Sequence, residues 1–160
     1  MKRSVYIETT IPSYYCDDRA ELMRDITRTR EWWDSERGGY ECFASAVVID
    51  ELSEGEYPTK AKCLACIQGT PMLAVDDSVL EIAMTYHATK VMPSPPVRDA
   101  LHVAIATYYK VDFLLTWNCR HIANANKFRH LEVVNARMGF ATPKIITPHM
   151  LSGSEEANGQ

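Results

Sequence analysis

The chain opens with the stretch Val5-Tyr6-Ile7-Glu8-Thr9-Thr10, in which an apolar run typical of a buried strand is followed directly by a carboxylate. A similar pattern returns at Phe113-Leu114-Leu115-Thr116-Trp117-Asn118, where the strand is followed by an amide. Strand patterns that alternate with helical patterns predict an α/β protein with a mostly parallel central sheet. Ligands of such sheets bind beyond the carboxyl ends of the strands, which is where Glu8 and Asn118 are expected.

The rest of the chain continues this alternation of strands and helices. Glycine and proline residues mark most of the boundaries, and apolar residues at helical spacing mark the helices. Asn118 is a candidate N-cap for the last long helix. Strands are predicted near 4–8, 40–45, 71–75, 112–116 and 144–147, and helices near 19–37, 45–55, 58–69, 76–88, 95–109 and 118–139, with a proline-rich connector at 92–96.

Length and composition predict one domain at residues 1–151 and a small, polar tail at 152–160 that is expected to be disordered. The 160 residues are 46% hydrophobic and 24% charged, as in an ordinary globular protein. No apolar run approaches the ~18 residues of a membrane span, and the N-terminus leads straight into a strand rather than a signal peptide. We therefore expect a cytoplasmic protein without a membrane partner. The net charge of −4 implies that any RNA-contacting surface is local.

Five cysteines make an odd number, which argues against a secreted disulfide framework. Cys63 and Cys66 have the CxxC spacing, but the sequence has no second CxxC to pair with them. Since they fall in a helical pattern, we expect buried thiols there rather than a zinc or redox site.

Four short segments each supply one carboxylate or amide, at Glu8, Glu51, Asp99 and Asn118. Acidic groups at the ends of apolar elements suit a hard cation, which binds oxygen ligands and phosphate. In their order and spacing the four segments resemble the PIN-domain ribonucleases, specifically the toxins of VapBC-type toxin–antitoxin modules. The segments that carry the resemblance are Glu8-Thr9-Thr10, Glu51-Leu52-Ser53-Glu54-Gly55, Asp99-Ala100-Leu101-His102-Val103-Ala104 and Leu114-Leu115-Thr116-Trp117-Asn118.

The resemblance implies a PIN-like three-layer α/β/α sandwich and a Mg²⁺- or Mn²⁺-dependent endoribonuclease. It implies that Glu8, Glu51 and Asp99 hold the metal and that Asn118 completes the catalytic set. The implied partners are an RNA substrate, a cognate antitoxin protein and a second copy of the chain in a homodimer.

Two residues depart from the family pattern, because Glu8 and Asn118 stand where most members have aspartate. Glutamate keeps the charge on a longer arm, whereas asparagine keeps an oxygen but removes a charge. The sequence therefore also admits a PIN-like module that binds RNA or protein without cutting. A nucleotide-binding doubly wound domain is disfavoured because no glycine-rich loop follows the first strand.

Five further residues are predicted to support the site or face the substrate. The hydroxyls of Thr10 and Thr116 can donate to carboxylates or water. His102 is expected to be packed or hydrogen-bonded on the helix face that carries the third acid. Arg120 and His121 are expected either at the rim of the cleft, where Arg120 can meet phosphate, or on plain surface.

Adjacent residues in a helix point about 100° apart, so the two members of an adjacent pair are expected in different surroundings. Of Trp32 and Trp33, one is expected inside the core and the other against a partner. Asp50, beside Glu51, is expected on the surface.

Overall fold

The computed structural model describes residues 1–92 and 97–151 of the chain. Five parallel strands form a single sheet, which confirms the predicted α/β fold with a parallel sheet. The strands are β1 (Arg3–Ile7), β2 (Tyr40–Ser45), β3 (Met72–Leu73), β4 (Phe113–Leu115) and β5 (Lys144–Ile146).

Eight α-helices accompany the strands within the described residues. A short 3₁₀ turn precedes the second helix, and a π-helical turn and another 3₁₀ turn extend it, so together they make the long helix predicted before β2. The helices are α1 (Thr10–Tyr15), α2 (Met23–Glu31), α3 (Ala46–Ser53), α4 (Lys60–Ile67), α5 (Asp77–Ala88), α6 (Val97–Tyr108), α7 (Ala125–Met138) and α8 (Pro148–Leu151), with 3₁₀ turns at Ala20–Leu22 and Arg37–Gly39 and the π turn at Trp32–Glu36.

The order of the strands across the sheet is β3-β2-β1-β4-β5, so the direction of winding reverses at β1. Since crossovers between parallel strands are right-handed, α1 to α4 cover one face of the sheet and α5 to α7 the other. The observed packing of α1 on α2 and α4, of α3 on α4, and of α5 on α6 agrees with this grouping. The protein is therefore a three-layer α/β/α sandwich, with its switch point between β1 and β4.

The central strand β1 and its neighbour β4 are buried on both faces. Val5, Tyr6 and Ile7 of β1 and Leu114 and Leu115 of β4 are all fully buried, as expected for parallel strands covered by helices. All five cysteines are free thiols, and Cys63 is buried in the same core. None of the helices in the described part of the chain has the length and apolar character needed to cross a membrane.

The expectation for the tryptophan pair is wrong, because both side chains are buried. Trp32 is fully buried and Trp33 is 6% exposed, with the Arg37 guanidinium 4.1 Å from its ring centre. The helix widens into a π turn at this pair, so the spacing of an ideal α-helix no longer applies. Residues 93–96 of the predicted connector and the tail predicted to be disordered lie outside the described residues.

Candidate functional site

Glu8 lies immediately after β1 and is 3% exposed. Its Oε1 accepts hydrogen bonds from the hydroxyls of Thr10 (2.6 Å) and Thr116 (2.9 Å), and the Thr10 backbone N–H donates to both carboxylate oxygens. The two predicted hydroxyl donors thus do contact a carboxylate. Burial raises the pKa of Glu8, although the nearby His102 and these hydrogen bonds act in the opposite direction.

Asn118 follows β4 and has both ends of its amide engaged. Its Nδ2 donates to Asp99 Oδ1 at 3.3 Å, its Oδ1 accepts from the His121 backbone N–H at 3.1 Å, and its own N–H donates to Thr116 Oγ1 at 2.9 Å. The prediction that Asn118 caps the next helix is wrong, because Asn124 occupies the N-cap of α7. Asn118 instead caps a turn that ends at His121 and holds the amide against Asp99.

Asp99 lies in the first turn of α6 and is 7% exposed. The pKa of Asp99 is raised, mainly by burial and further by the charge of Glu51, while His102 and His121 act in the opposite direction. His121 is half-buried on the turn beside this acid, whereas Arg120 is exposed, so of the two predicted rim residues His121 is close enough to affect Asp99.

Glu51 lies in the last turn of α3 and is half-buried. Its Oε1 accepts from the Thr9 hydroxyl at 2.8 Å and forms a short hydrogen bond with His102 Nε2. Burial raises the pKa of Glu51, but the contacts with His102 and Thr9 and the charge of Arg98 together outweigh burial and leave that pKa below its usual range. The neighbouring Asp50 is exposed, as predicted.

His102 is fully buried and hydrogen-bonded through both ring nitrogens. Its Nδ1 is 2.7 Å from the Tyr6 hydroxyl, which is in turn 2.8 Å from Ser45 Oγ. The expectation of a hydrogen-bonded histidine is confirmed, but Tyr6, Ser45 and Thr9 are absent from the predicted site. One signal was available, because a buried tyrosine hydroxyl needs a partner. Only the structure shows that Ser45 holds the N-cap position of α3 without capping it.

The structure brings Glu8, Glu51, Asp99 and Asn118 together at the carboxyl edge of the sheet. A chain of hydrogen bonds runs from Glu8 through Thr116 and Asn118 to Asp99. Glu51 joins through its bond to the threonine that follows Glu8. The four residues sit beside the switch point between β1 and β4, where an open parallel sheet binds its ligands.

The donor chemistry of the cluster fits a hard divalent cation. No hydrogen bond from the described residues reaches Glu51 Oε2 or Asp99 Oδ2, and Glu8 Oε2 accepts from the Thr10 N–H alone among them. Within residues 1–92 and 97–151, no group of three or more His, Cys, Asp or Glu side chains is arranged so that it could hold a metal ion. A cation that drew these oxygens together would offset the desolvation that raises the pKa of Glu8 and Asp99.

Comparison with known protein families finds no family model that matches the chain, and comparison with curated proteins finds no significant match. The similarity of the four segments to PIN-domain nucleases stays a prediction. A fold alone supports many functions, so the site carries the functional proposal.

Proposed function

We propose that this chain is a metal-dependent endoribonuclease, the toxin of a type II toxin–antitoxin pair. The observation that carries the proposal is the cluster of Glu8, Glu51 and Asp99 at the carboxyl edge of the sheet. No Lys or Arg of the described residues forms an ion pair with any of the three acids. Glu8 and Asp99 are buried, and buried carboxylates without such partners are costly in a merely structural role, whereas they suit a cation site.

Glu8, Glu51 and Asp99 would hold Mg²⁺ or Mn²⁺ through their carboxylate oxygens. When bound, the cation supplies a water of lowered pKa and neutralises charge on the phosphate. Thr10 and Thr116 hold Glu8 Oε1, which limits the rotation of that carboxylate. Asn118 Nδ2 holds Asp99 Oδ1 in the same way. Hydrolysis by water needs no attack from a 2′-hydroxyl, so the expected products carry a 5′-phosphate and a 3′-hydroxyl.

The RNA would approach over the turn that follows β4. His121 is half-buried beside Asp99, and Arg120 is exposed next to it, so both are proposed to meet the phosphate backbone. The family resemblance extends the proposal to a cytoplasmic location, a homodimer and a cognate antitoxin that holds the enzyme inactive.

The proposal is tested by titrating Mg²⁺ or Mn²⁺ against cleavage of an end-labelled RNA. Glu51→Gln should abolish metal-dependent cleavage, because it removes one charge from the cluster. Asp50→Asn is the matched control, since this neighbouring acid on α3 is exposed, and it should cut as the parent does. Cleavage that persists in excess chelator, or equal rates for parent and Glu51→Gln, would refute the proposal.

A second candidate is a PIN-like module that binds RNA or protein without cutting. The observation that favours it is the state of Asn118, which is neutral and uses both arms of its amide inside the protein. This candidate predicts RNA binding, measured by fluorescence anisotropy, that is independent of divalent metal and leads to no cleavage.

A further inference from the structure

A buried row of hydrogen bonds backs the carboxylate of Glu51. It runs from Ser45 Oγ to the Tyr6 hydroxyl (2.8 Å), from that hydroxyl to His102 Nδ1 (2.7 Å), and from His102 Nε2 to Glu51 Oε1. Ser45, Tyr6 and His102 are all fully buried. They belong to β2, β1 and α6, so the row ties three elements to the end of α3.

With a neutral His102 ring, the protons in this row have one consistent order. The Tyr6 hydroxyl carries the hydrogen in its 2.7 Å contact and donates to His102 Nδ1. The carboxylate of Glu51 has no proton to donate, and therefore His102 Nε2 must carry the hydrogen between them. Ser45 then donates to the Tyr6 oxygen, and each hydroxyl or ring nitrogen in the row has a partner.

The row acts on one oxygen of Glu51 and leaves the other accessible to a ligand. Both His102 and the Thr9 hydroxyl bind Oε1, whereas no hydrogen bond from the described residues reaches Oε2. The nearby cation Arg98 pairs with Glu54 instead. The side chain of Glu51, in the last turn of α3, takes its hydrogen bonds from His102 and Thr9.

We propose that His102, oriented by Tyr6 and Ser45, is a positioning residue that fixes Glu51 by Oε1 and keeps Oε2 available to the cation. This inference rests on the proposed function for the role of the cation, but the geometry of the row stands without it. Residues that orient a ligand from behind commonly change metal affinity about 10- to 100-fold when they are removed.

Two substitutions of His102 separate its two arms. His102→Gln keeps an amide nitrogen near the position of Nε2 and so retains the donor to Glu51. His102→Asn keeps an acceptor near the position of Nδ1 and so retains the partner of Tyr6, but it loses the contact with Glu51. Both replace a buried ring with an amide, so a merely structural role would weaken both variants alike.

The readout is Mn²⁺ affinity, measured by the electron paramagnetic resonance signal of free Mn²⁺. We expect His102→Asn to bind Mn²⁺ about 10-fold more weakly than the parent, and His102→Gln to stay within about 3-fold. Equal affinities for the two variants, whether both are lowered or both match the parent, would overturn the positioning role.

The order of protons gives a second measurement that needs neither a variant nor a metal. Long-range ¹H–¹⁵N correlation of the histidine rings in the parent should show His102 with hydrogen on Nε2 and none on Nδ1. An Nε2 without hydrogen would leave His102 no donor for Glu51 and would overturn the inference even if Mn²⁺ affinity behaved as expected. A parent that has the expected tautomer but binds no Mn²⁺ would refute the proposed function while leaving the orientation of His102 supported.

Discussion

Two buried polar networks in the protein differ in charge, although α6 contributes residues to both. The first holds the acidic cluster at the carboxyl edge. The second joins α5, α6 and α7 through Tyr86, whose hydroxyl is 2.9 Å from Thr107 Oγ1 and 2.6 Å from Asn135 Oδ1, and Asn135 Nδ2 donates to Thr142 Oγ1 at 2.9 Å. The second network consists of neutral hydroxyl and amide groups, and Tyr86, Thr107 and Asn135 are all fully buried.

The difference in charge distinguishes buried polar groups that stabilise the fold from buried polar groups suited to binding a ligand. A neutral network with matched donors and acceptors carries no charge into the interior, so its burial cost is offset by its own hydrogen bonds. In the acidic cluster, burial raises the pKa of Glu8 and Asp99, which means that their charged forms are disfavoured in the metal-free protein. The neutral network fits a clamp between helices, and the acidic cluster fits a cation site.

The largest expected effect is the loss of cleavage in Asp99→Asn. This change removes a charge that the cation needs, so the rate of metal-dependent RNA cleavage should fall by about 10³-fold or more. Because the pKa of Asp99 is raised in the fold, the same change should make the metal-free protein more stable at pH 7, which urea unfolding in chelator can measure. A variant that loses both activity and stability would show that the Asp99 carboxylate stabilises the fold.

Tyr86→Phe should break the neutral network without touching the site. Removing the hydroxyl takes a buried partner from Asn135 Oδ1 and from Thr107 Oγ1, so the free energy of unfolding should fall by about 1–3 kcal/mol. Mn²⁺ affinity should be unchanged. Tyr108→Phe is the control, because this half-buried hydroxyl makes no hydrogen bond to the described residues, and its stability in urea should match the parent.

The pH dependence of stability should differ in sign between two acids of the same cluster. The folded pKa of Asp99 lies above the unfolded value of about 3.9, so its contribution to stability is greatest at low pH and is lost as pH rises through the folded pKa. The folded pKa of Glu51 lies below its unfolded value of about 4.3, so its contribution is present above that value and is lost as pH falls.

Urea unfolding in chelator between pH 3 and 7 tests these signs. The stability of the parent relative to Asp99→Asn should decrease as pH rises, whereas its stability relative to Glu51→Gln should increase. Each difference should amount to about 1.4 kcal/mol for every unit by which the folded and unfolded pKa differ. Slopes of the same sign would mean that the contacts of Glu51, with His102 foremost, do not lower its pKa relative to that of Asp99.

Much of the fold follows from local patterns in the sequence. The apolar runs at the first and fourth strands predict buried parallel strands because both faces of β1 and β4 meet helices. The helix predicted near 76–88 is α5, and Asp76 caps it by accepting a hydrogen bond from the Val79 N–H. The tryptophan pair failed because a π turn changes the angle between neighbouring side chains, and ideal helical spacing gives no signal of such a turn.

The site was less predictable where its contacts link residues far apart in the chain. Thr10 and Thr116 were predicted as hydroxyl donors because each lies within two residues of a predicted site residue. Tyr6 and Ser45 were missed because an apolar strand and a helix N-cap each gave them a sufficient local explanation. The bond between Tyr6 and His102 spans 96 residues in sequence and the bond between Tyr6 and Ser45 spans 39, and the register of β1 beside β2 brings the two hydroxyls together.

The smallest expected effect concerns Asn118→Asp, which adds a fourth carboxylate to the cluster. The new carboxylate would lose the donor to Asp99 Oδ1 and place a like charge beside it, so the metal-free protein should become less stable. The same charge adds Coulomb attraction for a cation, and Mn²⁺ should bind several-fold more tightly in isothermal titration. The Oδ1 contact with the His121 N–H can persist, so the turn should keep its shape. Lower stability with unchanged Mn²⁺ affinity would mean that Asn118 caps the turn and orients Asp99, and the cation site would then comprise Glu8, Glu51 and Asp99.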